Sequence, residues 1–246
     1  MIHRVSLFML FLVLHIVSAY GQEDHLQSKT RLTSISLHKE YYNFNSTHQA
    51  TYFILKGGIT FKDNSHLLVE LIGTQYTEEG RKIYSPGDMN ISYTRKILPA
   101  SNGDFLGMNA CLKMHFPTGN SDLSGLFGHY TVEPMITYGW KLIGNNLTLS
   151  NQWRAYIPTI QAIENTVAPA FVRFEPALKY QYDDKWINVA LDNRWVWNFD
   201  DVVIYYKVEG GIDLGNNYQL SGFYEKKIRG EALFDIYTGI NIRFKF

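Results

Sequence analysis

The 246-residue sequence is poor in three features that define large classes of protein. A single cysteine excludes an internal disulfide framework and any metal site built from several cysteines. Basic and acidic residues number 23 each, so a net charge of zero gives no electrostatic reason to expect nucleic acid as a partner. Beyond residue 21, polar side chains interrupt every apolar stretch within a few positions, so no segment resembles a transmembrane helix.

Aromatic residues, by contrast, are abundant. They make up 15% of the chain, and the hydrophobic content of 46% is too high for a disordered protein. Low charge together with plentiful glycine and tyrosine favours β-structure.

The first 21 residues have the organisation of a secretory signal peptide. His3 and Arg4 form a basic start, an apolar run covers Val5–Val17, and small residues follow up to Gly21. A membrane anchor is the weaker alternative, because the run is too short to cross a bilayer and no polybasic segment follows it. We therefore expect a cleaved signal peptide over 1–21 and a flexible periplasmic lead-in over 22–31.

The rest of the chain alternates between apolar and polar residues. In Thr238–Phe246, isoleucine and phenylalanine occupy one face while Asn241, Arg243 and Lys245 occupy the other, which is typical of a half-apolar strand. The same pattern predicts twelve strands. They are expected near Leu32–Tyr42, Ala50–Lys62, Leu67–Thr77, Asp88–Leu98, Phe105–Pro117, Tyr130–Leu142, Leu147–Pro158, Val172–Tyr182, Trp186–Phe199, Val202–Leu214, Tyr218–Ile228 and Ala232–Phe246.

Connections between these strands are predicted to alternate in length. Tight turns follow even-numbered strands, as at Asp63-Asn64-Ser65 and Asp183-Asp184. Longer connections follow odd-numbered strands: Asn43–Gln49, Glu78–Gly87, Thr118–His129 and Thr159–Phe171. Short periplasmic turns and long extracellular loops are typical of outer-membrane barrels. The sequence therefore predicts an all-β fold, a transmembrane antiparallel β-barrel over 32–246.

A soluble β-sandwich would also alternate, so other features must distinguish the two folds. The signal peptide, the terminal Phe246 and aromatic residues near strand ends favour the membrane barrel, because tyrosine and tryptophan form girdles at both membrane interfaces. These strand-end aromatics are Tyr42, Tyr76, Phe116, Tyr130, Tyr182, Phe199 and Tyr218. The expected location is the outer membrane of a Gram-negative bacterium.

Three segments together resemble a known outer-membrane family. Gly87–Tyr93 reads GDMNISY, Leu106–Met114 follows as a partner strand, and Phe116–Asn120 reads FPTGN. This arrangement resembles the family named for the phenol-degradation meta-pathway, the MetA-pathway transporters, and by pattern the resemblance extends to Phe246. It implies a transporter or channel for small, often hydrophobic molecules rather than an enzyme.

Alternation also assigns charged side chains to the barrel interior. The expected pore-lining residues are Lys96, Lys113, His115, Glu133, Lys141, Arg154, Arg173, Glu175, Lys179, Asp192, Arg194 and Arg243. More bases than acids face inward under this assignment, which favours an anionic solute. The alternative is that these charges pair across neighbouring strands and fill the interior.

No set of residues indicates catalysis, a metal site or a cofactor. The best local cluster places His115 near Ser121, Asp122, Ser124 and His129, but its spacing fits no known catalytic motif. Passage of a small anionic or aromatic solute is therefore the expected function. A lipid-modifying enzyme and a closed structural barrel remain the alternatives.

The same reading sets expectations for partners. Besides the solute, these are outer-membrane lipids and the barrel assembly machinery, which would recognise the C-terminal strand ending at Phe246. Nucleic acid is not expected. The loops at Pro117–His129 and Thr159–Phe171 are expected to gate or select the solute.

Overall fold

The computed structural model describes residues 31–44, 48–78, 80–101, 103–119, 129–144, 146–161, 168–215, 217–231 and 234–246. The predicted signal peptide over 1–21 and almost all of the predicted lead-in lie outside these residues. The described residues form twelve antiparallel strands joined into one closed barrel. Among them no helix is long and apolar enough to cross a membrane.

The strands follow one another around the barrel in chain order. The first six are β1 (Arg31–Asn43), β2 (His48–Thr60), β3 (His66–Glu78), β4 (Arg81–Leu98), β5 (Phe105–Phe116) and β6 (His129–Ile143). The other six are β7 (Leu147–Gln161), β8 (Phe171–Tyr182), β9 (Lys185–Val196), β10 (Asp201–Leu214), β11 (Tyr218–Arg229) and β12 (Ile236–Lys245). The predicted fold class and the order of the twelve strands are confirmed.

Pairing of β1 with β12 closes the barrel. Ten residue pairs join these two strands, from Ser34 opposite Lys245 to Asn43 opposite Ile236. The Phe246 N–H also donates to the Thr33 carbonyl at 3.1 Å. Closure leaves no strand edge without a partner, which a protein in hydrocarbon requires because no water is available to satisfy backbone groups.

The two ends of the barrel differ in their connections. We call the end with the connections after even-numbered strands the turn end, and the opposite one the loop end. At the turn end, Asn64 and Asp183 adopt positive φ, as tight turns require. The Ser65 hydroxyl and N–H donate to the Asp63 carboxylate at 2.6 and 3.0 Å, which holds the pKa of Asp63 below its usual range.

One predicted long loop is wrong. The segment Glu78–Gly87 is mostly strand, because β4 begins at Arg81 and its first residues pair with β3. Pro86 and Gly87 are accommodated at a β-bulge, where a missing ladder bond is tolerated. Gly87 and Asp88 together oppose the single residue Ile72.

The outer surface of the barrel is apolar, as the alternation predicts. Trp153, for example, is 41% exposed and stacks on Phe174 at 4.4 Å. Other exposed apolar residues include Leu37, Phe53, Leu112, Ile136, Leu178, Val189, Leu191, Leu220, Ile240 and Ile242. This surface suits lipid contact, because a spanning strand needs only every second residue to be apolar.

For two aromatic residues, the predicted position in the membrane-interface girdles is wrong. Tyr42 and Tyr76 pack against buried residues inside the barrel instead of facing lipid. Each lies near a strand end, but each has the parity of its strand's inward face, shared by Glu40 in β1 and Thr74 in β3. The alternation along the strand therefore decides whether a side chain faces the lumen or lipid, even for an aromatic residue close to the membrane interface.

Candidate functional site

Aromatic rings fill the lumen near the loop end. We call these residues the aromatic layer: Tyr42, Tyr52, Tyr156, Phe171, Tyr205, Phe234 and Tyr237. Tyr42 stacks on Tyr237 at 4.1 Å and meets Tyr52 edge-on at 4.9 Å. The Tyr205 hydroxyl donates to the Phe234 carbonyl at 3.0 Å, which fixes the segment before β12 against the barrel wall.

A layer of ion pairs lies next to the aromatic layer, on the side of the turn end. Arg154 and Arg173 are each two positions nearer that end than the aromatic residues Tyr156 and Phe171. We call these residues the charged layer: Lys56, Glu70, Asn90, Lys113, His115, Glu133, Arg154, Arg173, Glu175, Asp192, Arg194 and Glu225.

The first part of the charged layer is centred on Glu70. Its carboxylate accepts from Lys113 at 2.6 Å and from Lys56 at 2.9 Å. The Asn90 side-chain N–H also donates to Glu70, at 2.8 Å. Three donors surround a carboxylate that is 5% exposed, so its burial is compensated.

The second part contains the only histidine among the expected pore-lining residues. His115 Nδ1 is hydrogen bonded to Asn90 Oδ1 at 2.8 Å, and Nε2 to Glu133 Oε2 at 2.7 Å. Arg154 binds the other Glu133 oxygen at 2.8 Å. Both ring nitrogens of His115 are therefore in use, and neither is free to act as a base toward a hydroxyl group.

The third part is an arginine and carboxylate cluster on β8, β9 and β11. Arg173 binds Asp192 at 2.8 Å and also pairs with Glu175. Arg194 binds Asp192, and it binds Glu225 at 2.8 Å. The guanidinium of Arg194 also lies over the Tyr205 ring at 4.5 Å, which joins this cluster to the aromatic layer.

A cavity of about 300 Å³ lies between the two layers. Its walls are formed by rings of the aromatic layer and by bases and acids of the charged layer. Two acids outside that layer, Glu40 and Asp88, also line it. The volume is in the range of small-molecule sites. Among the described residues, no group of histidine, cysteine, aspartate and glutamate side chains is arranged to hold a metal ion.

The structure brings together most of the expected pore-lining residues, but not all of them. Eight belong to the charged layer: Lys113, His115, Glu133, Arg154, Arg173, Glu175, Asp192 and Arg194. Four lie nearer the turn end: Lys96, Lys141, Lys179 and Arg243. Lys96 is exposed near the end of β4, and the Lys179 ammonium lies over the Trp186 ring at 5.0 Å.

Sequence reasoning left Glu40 and Asp88 out of the expected site. Strand parity could have found Glu40, because it shares the inward face of β1 with Ser36 and His38. Parity could also have found Asp88, because in the predicted strand Asp88–Leu98 it shares a face with the expected pore-lining residue Lys96. The predicted cluster around His115 is not testable in full, since Ser121, Asp122 and Ser124 lie outside the described residues.

Two of the segments that carry the family resemblance, Gly87–Tyr93 and Phe116–Asn120, are in contact. The Gly119 N–H donates to Asp88 Oδ1 at 3.2 Å, and the Thr118 hydroxyl donates to the Gly87 carbonyl at 3.3 Å. The chain leaving β5 therefore folds back on the bulge in β4. This contact holds Asp88 at the cavity wall.

Replacing Gly119 with alanine is expected to loosen this contact. An added Cβ would lie 2.8 Å from the Pro86 carbonyl oxygen and 3.0 Å from the Gly87 carbonyl carbon, both rigid backbone atoms. We expect a loss of about 1–3 kcal/mol in the free energy of unfolding, as for other overpacking substitutions. Urea titration of tryptophan fluorescence in lipid vesicles measures it.

Gly57→Ala is the matched control for Gly119→Ala. A Cβ at Gly57 would meet no atom within 4 Å. We expect this variant to unfold at the wild-type urea concentration. Equal losses for the two variants would contradict a specific role for Gly119.

Solved structures share this fold, although no protein-family model and no curated protein sequence matches the chain. The COG4313 outer membrane channel from Pseudomonas putida F1 superposes with a TM-score of 0.68 at 12% identity, over 92% of this chain and 98% of that one. The KdgM porin gives 0.58 at 10% identity, over 87% and 99%. The beta domain of the Bordetella autotransporter BrkA gives 0.51 at 11% identity, over 87% and 98%.

At such low identities the likeness shows the fold alone. The fold is that of an outer-membrane β-barrel, which confirms the predicted fold class and agrees with the predicted location in the outer membrane. Channels and an autotransporter domain share it, so the function has to be argued from the lumen.

Proposed function

We propose that the protein is an outer-membrane channel through which a small solute passes. The observation that carries this proposal is the cavity in the lumen, lined by polar and aromatic side chains inside a barrel whose outer surface is apolar. Burying ionised groups is costly, so their grouping around an unfilled cavity supports a lumen that a solute enters. The two channels of similar fold support the same proposal.

The chemical class of the solute is a separate part of the proposal. The sequence favoured an anionic or aromatic solute. Ion pairing weakens the case for an anion, because every base of the charged layer already binds an acid of that layer. The aromatic layer supports a solute with an apolar or aromatic part. Membership of the MetA-pathway family also remains a proposal, and it agrees with such a solute.

A closed structural barrel is the second candidate. The observation in its favour is the burial of the third part of the charged layer, where Asp192 and Glu225 are almost completely shielded from solvent. Side chains fill the described lumen at that level, as they do in small barrels. An enzyme is less well supported, because both ring nitrogens of His115 are already engaged.

Conductance in planar bilayers tests the channel proposal. The purified barrel is expected to give discrete current steps, and vesicles containing it are expected to swell in a small neutral solute. Heat-denatured protein from the same preparation is the control. Absence of both current and swelling would overturn the proposal in favour of the closed barrel.

Two of the proposed partners depend on the outer surface. Outer-membrane lipids would contact the apolar belt of the strands. The assembly machinery would recognise β12 and Phe246, whose side chain is 65% exposed at the turn end.

A further inference from the structure

Two carboxylates at the cavity wall have no lysine or arginine to neutralise them. The side chains of Asp88 and Glu40 are buried, at 3% and 7% exposure. Among the described residues, no lysine or arginine lies within 4.0 Å of either carboxylate, and the basic group nearest to Glu40 is His38 Nδ1 at 3.9 Å.

Asp88 has an unused acceptor atom. Its Oδ1 accepts from the Gly119 N–H, whereas its Oδ2 is buried and has no hydrogen-bond partner among the described residues. An unpaired buried carboxylate oxygen is costly, and such groups almost always have a partner in folded proteins. This oxygen is therefore available to a further hydrogen-bond donor.

Aromatic rings surround Glu40. The Tyr42 hydroxyl donates to its carboxylate at 3.4 Å, and Tyr237 is a second hydrogen-bonding neighbour. Tyr52 lies opposite Glu40 on β2 and is also close to Asp88. A cation held by these carboxylates would also contact the tyrosine rings, and ring faces attract cations.

The lysines and the arginine that share this cavity make their ion pairs with other acids. Lys56 and Lys113 both bind Glu70, and Arg154 binds Glu133. Among the described residues, no further histidine, cysteine or acidic side chain joins these two carboxylates in a metal-binding group. The negative charge and the rings together fit an organic cation.

We propose that the cavity binds a small organic ammonium ion that carries an apolar or aromatic group. The ammonium group donates to Asp88 Oδ2, Glu40 adds negative charge at the wall of the same cavity, and the apolar part lies among Tyr42, Tyr52 and Tyr237. This inference rests on the proposed function, because the lumen is the route by which the solute reaches the cavity.

Three probes of nearly equal size test the charge requirement. Titration calorimetry of the folded barrel in detergent at pH 7 compares 2-phenylethylammonium, 2-phenylethanol and phenylacetate. We expect the cation to bind and the neutral and anionic probes to bind at least about tenfold more weakly, since only the cation pairs with the buried carboxylates. Equal affinity for the cation and the alcohol would overturn the inference.

Replacing each carboxylate with its amide tests whether Asp88 and Glu40 contribute to binding the cation. Asp88→Asn and Glu40→Gln are each expected to weaken binding of 2-phenylethylammonium at least about tenfold, while 2-phenylethanol is unaffected. Asp213→Asn is the control, because Asp213 pairs with Lys245 at 2.9 Å, far from the cavity. Heat-dependent migration in gels verifies that each variant is folded. If one variant misfolds, the other alone tests the inference. Unchanged affinity in both variants would overturn the inference.

Conductance separates this inference from the proposed function. Current steps without binding of the cation would overturn the ammonium site and leave the channel intact. Binding without current or solute flux would support the site and overturn the channel.

Discussion

Arg194→Met is expected to destabilise the barrel more than any other single substitution considered. Arg194 is the shared partner of Asp192 and Glu225, and both carboxylates are almost completely buried. Removing one member of a buried ion cluster leaves the others uncompensated, at a cost of about 3–5 kcal/mol. The Tyr205 ring also loses the cation above it.

Urea titrations in lipid vesicles measure this loss. Arg229→Met is the matched control, because Arg229 is exposed at the end of β11 and the same atoms are removed. We expect the control to unfold at the wild-type urea concentration. A free energy of unfolding for Arg194→Met within about 1 kcal/mol of wild type would contradict the assignment of a buried ion cluster.

A combined variant distinguishes lost charge compensation from lost packing. Arg194→Met together with Asp192→Asn and Glu225→Gln removes all three charges but keeps similar volumes. Because neutral side chains are much cheaper to bury, this variant is expected to recover most of the stability lost in Arg194→Met. No recovery would mean that packing by the guanidinium, not charge, was responsible.

Removing two rings of the aromatic layer is expected to raise the single-channel conductance severalfold. Tyr156 and Phe171 face each other on β7 and β8, and their rings stack in parallel at 5.0 Å. Alanine at both positions removes two rings from the wall of the lumen cavity. A wider polar lumen carries more ions, so planar-bilayer current steps should become larger.

The outer face of the same two strands supplies the control for this variant. Trp153 and Phe174 are also paired across β7 and β8 and also stack, but they face away from the lumen. Alanine at both of these positions is expected to leave the conductance unchanged, although lost packing lowers stability. Equal conductance changes in the inner and outer double variants would show that the aromatic layer does not restrict the lumen.

The period of two in the sequence was sufficient to predict the strands. It predicted all twelve, because alternation follows directly from a backbone that directs successive side chains to opposite faces. Parity likewise placed Lys113 and Arg154 in the lumen. Asp88, the first residue of a predicted strand, has the parity of Lys96 and also faces the lumen. The same parity cannot be continued upstream of Asp88, because the bulge adds an extra residue there.

Two predictions about strand ends were wrong. A long loop was expected over Glu78–Gly87, and the positions of Tyr42 and Tyr76 near strand ends suggested a lipid interface. Both errors arise because a residue type is compatible with several environments, and pairing with the neighbouring strand selects among them.

The sequence by itself determined that this chain alternates, where its strands lie and which residues are available to face inward. Only the tertiary structure decided which inward residues meet, as when Lys113 on β5 reaches Glu70 on β3, or when the segment before β12 brings Phe234 against Tyr205. The physical reason is that such contacts depend on register, closure and curvature of the whole barrel, which are properties of the paired strands together. That same geometry leaves Asp88 and Glu40 without a lysine or arginine partner among the described residues.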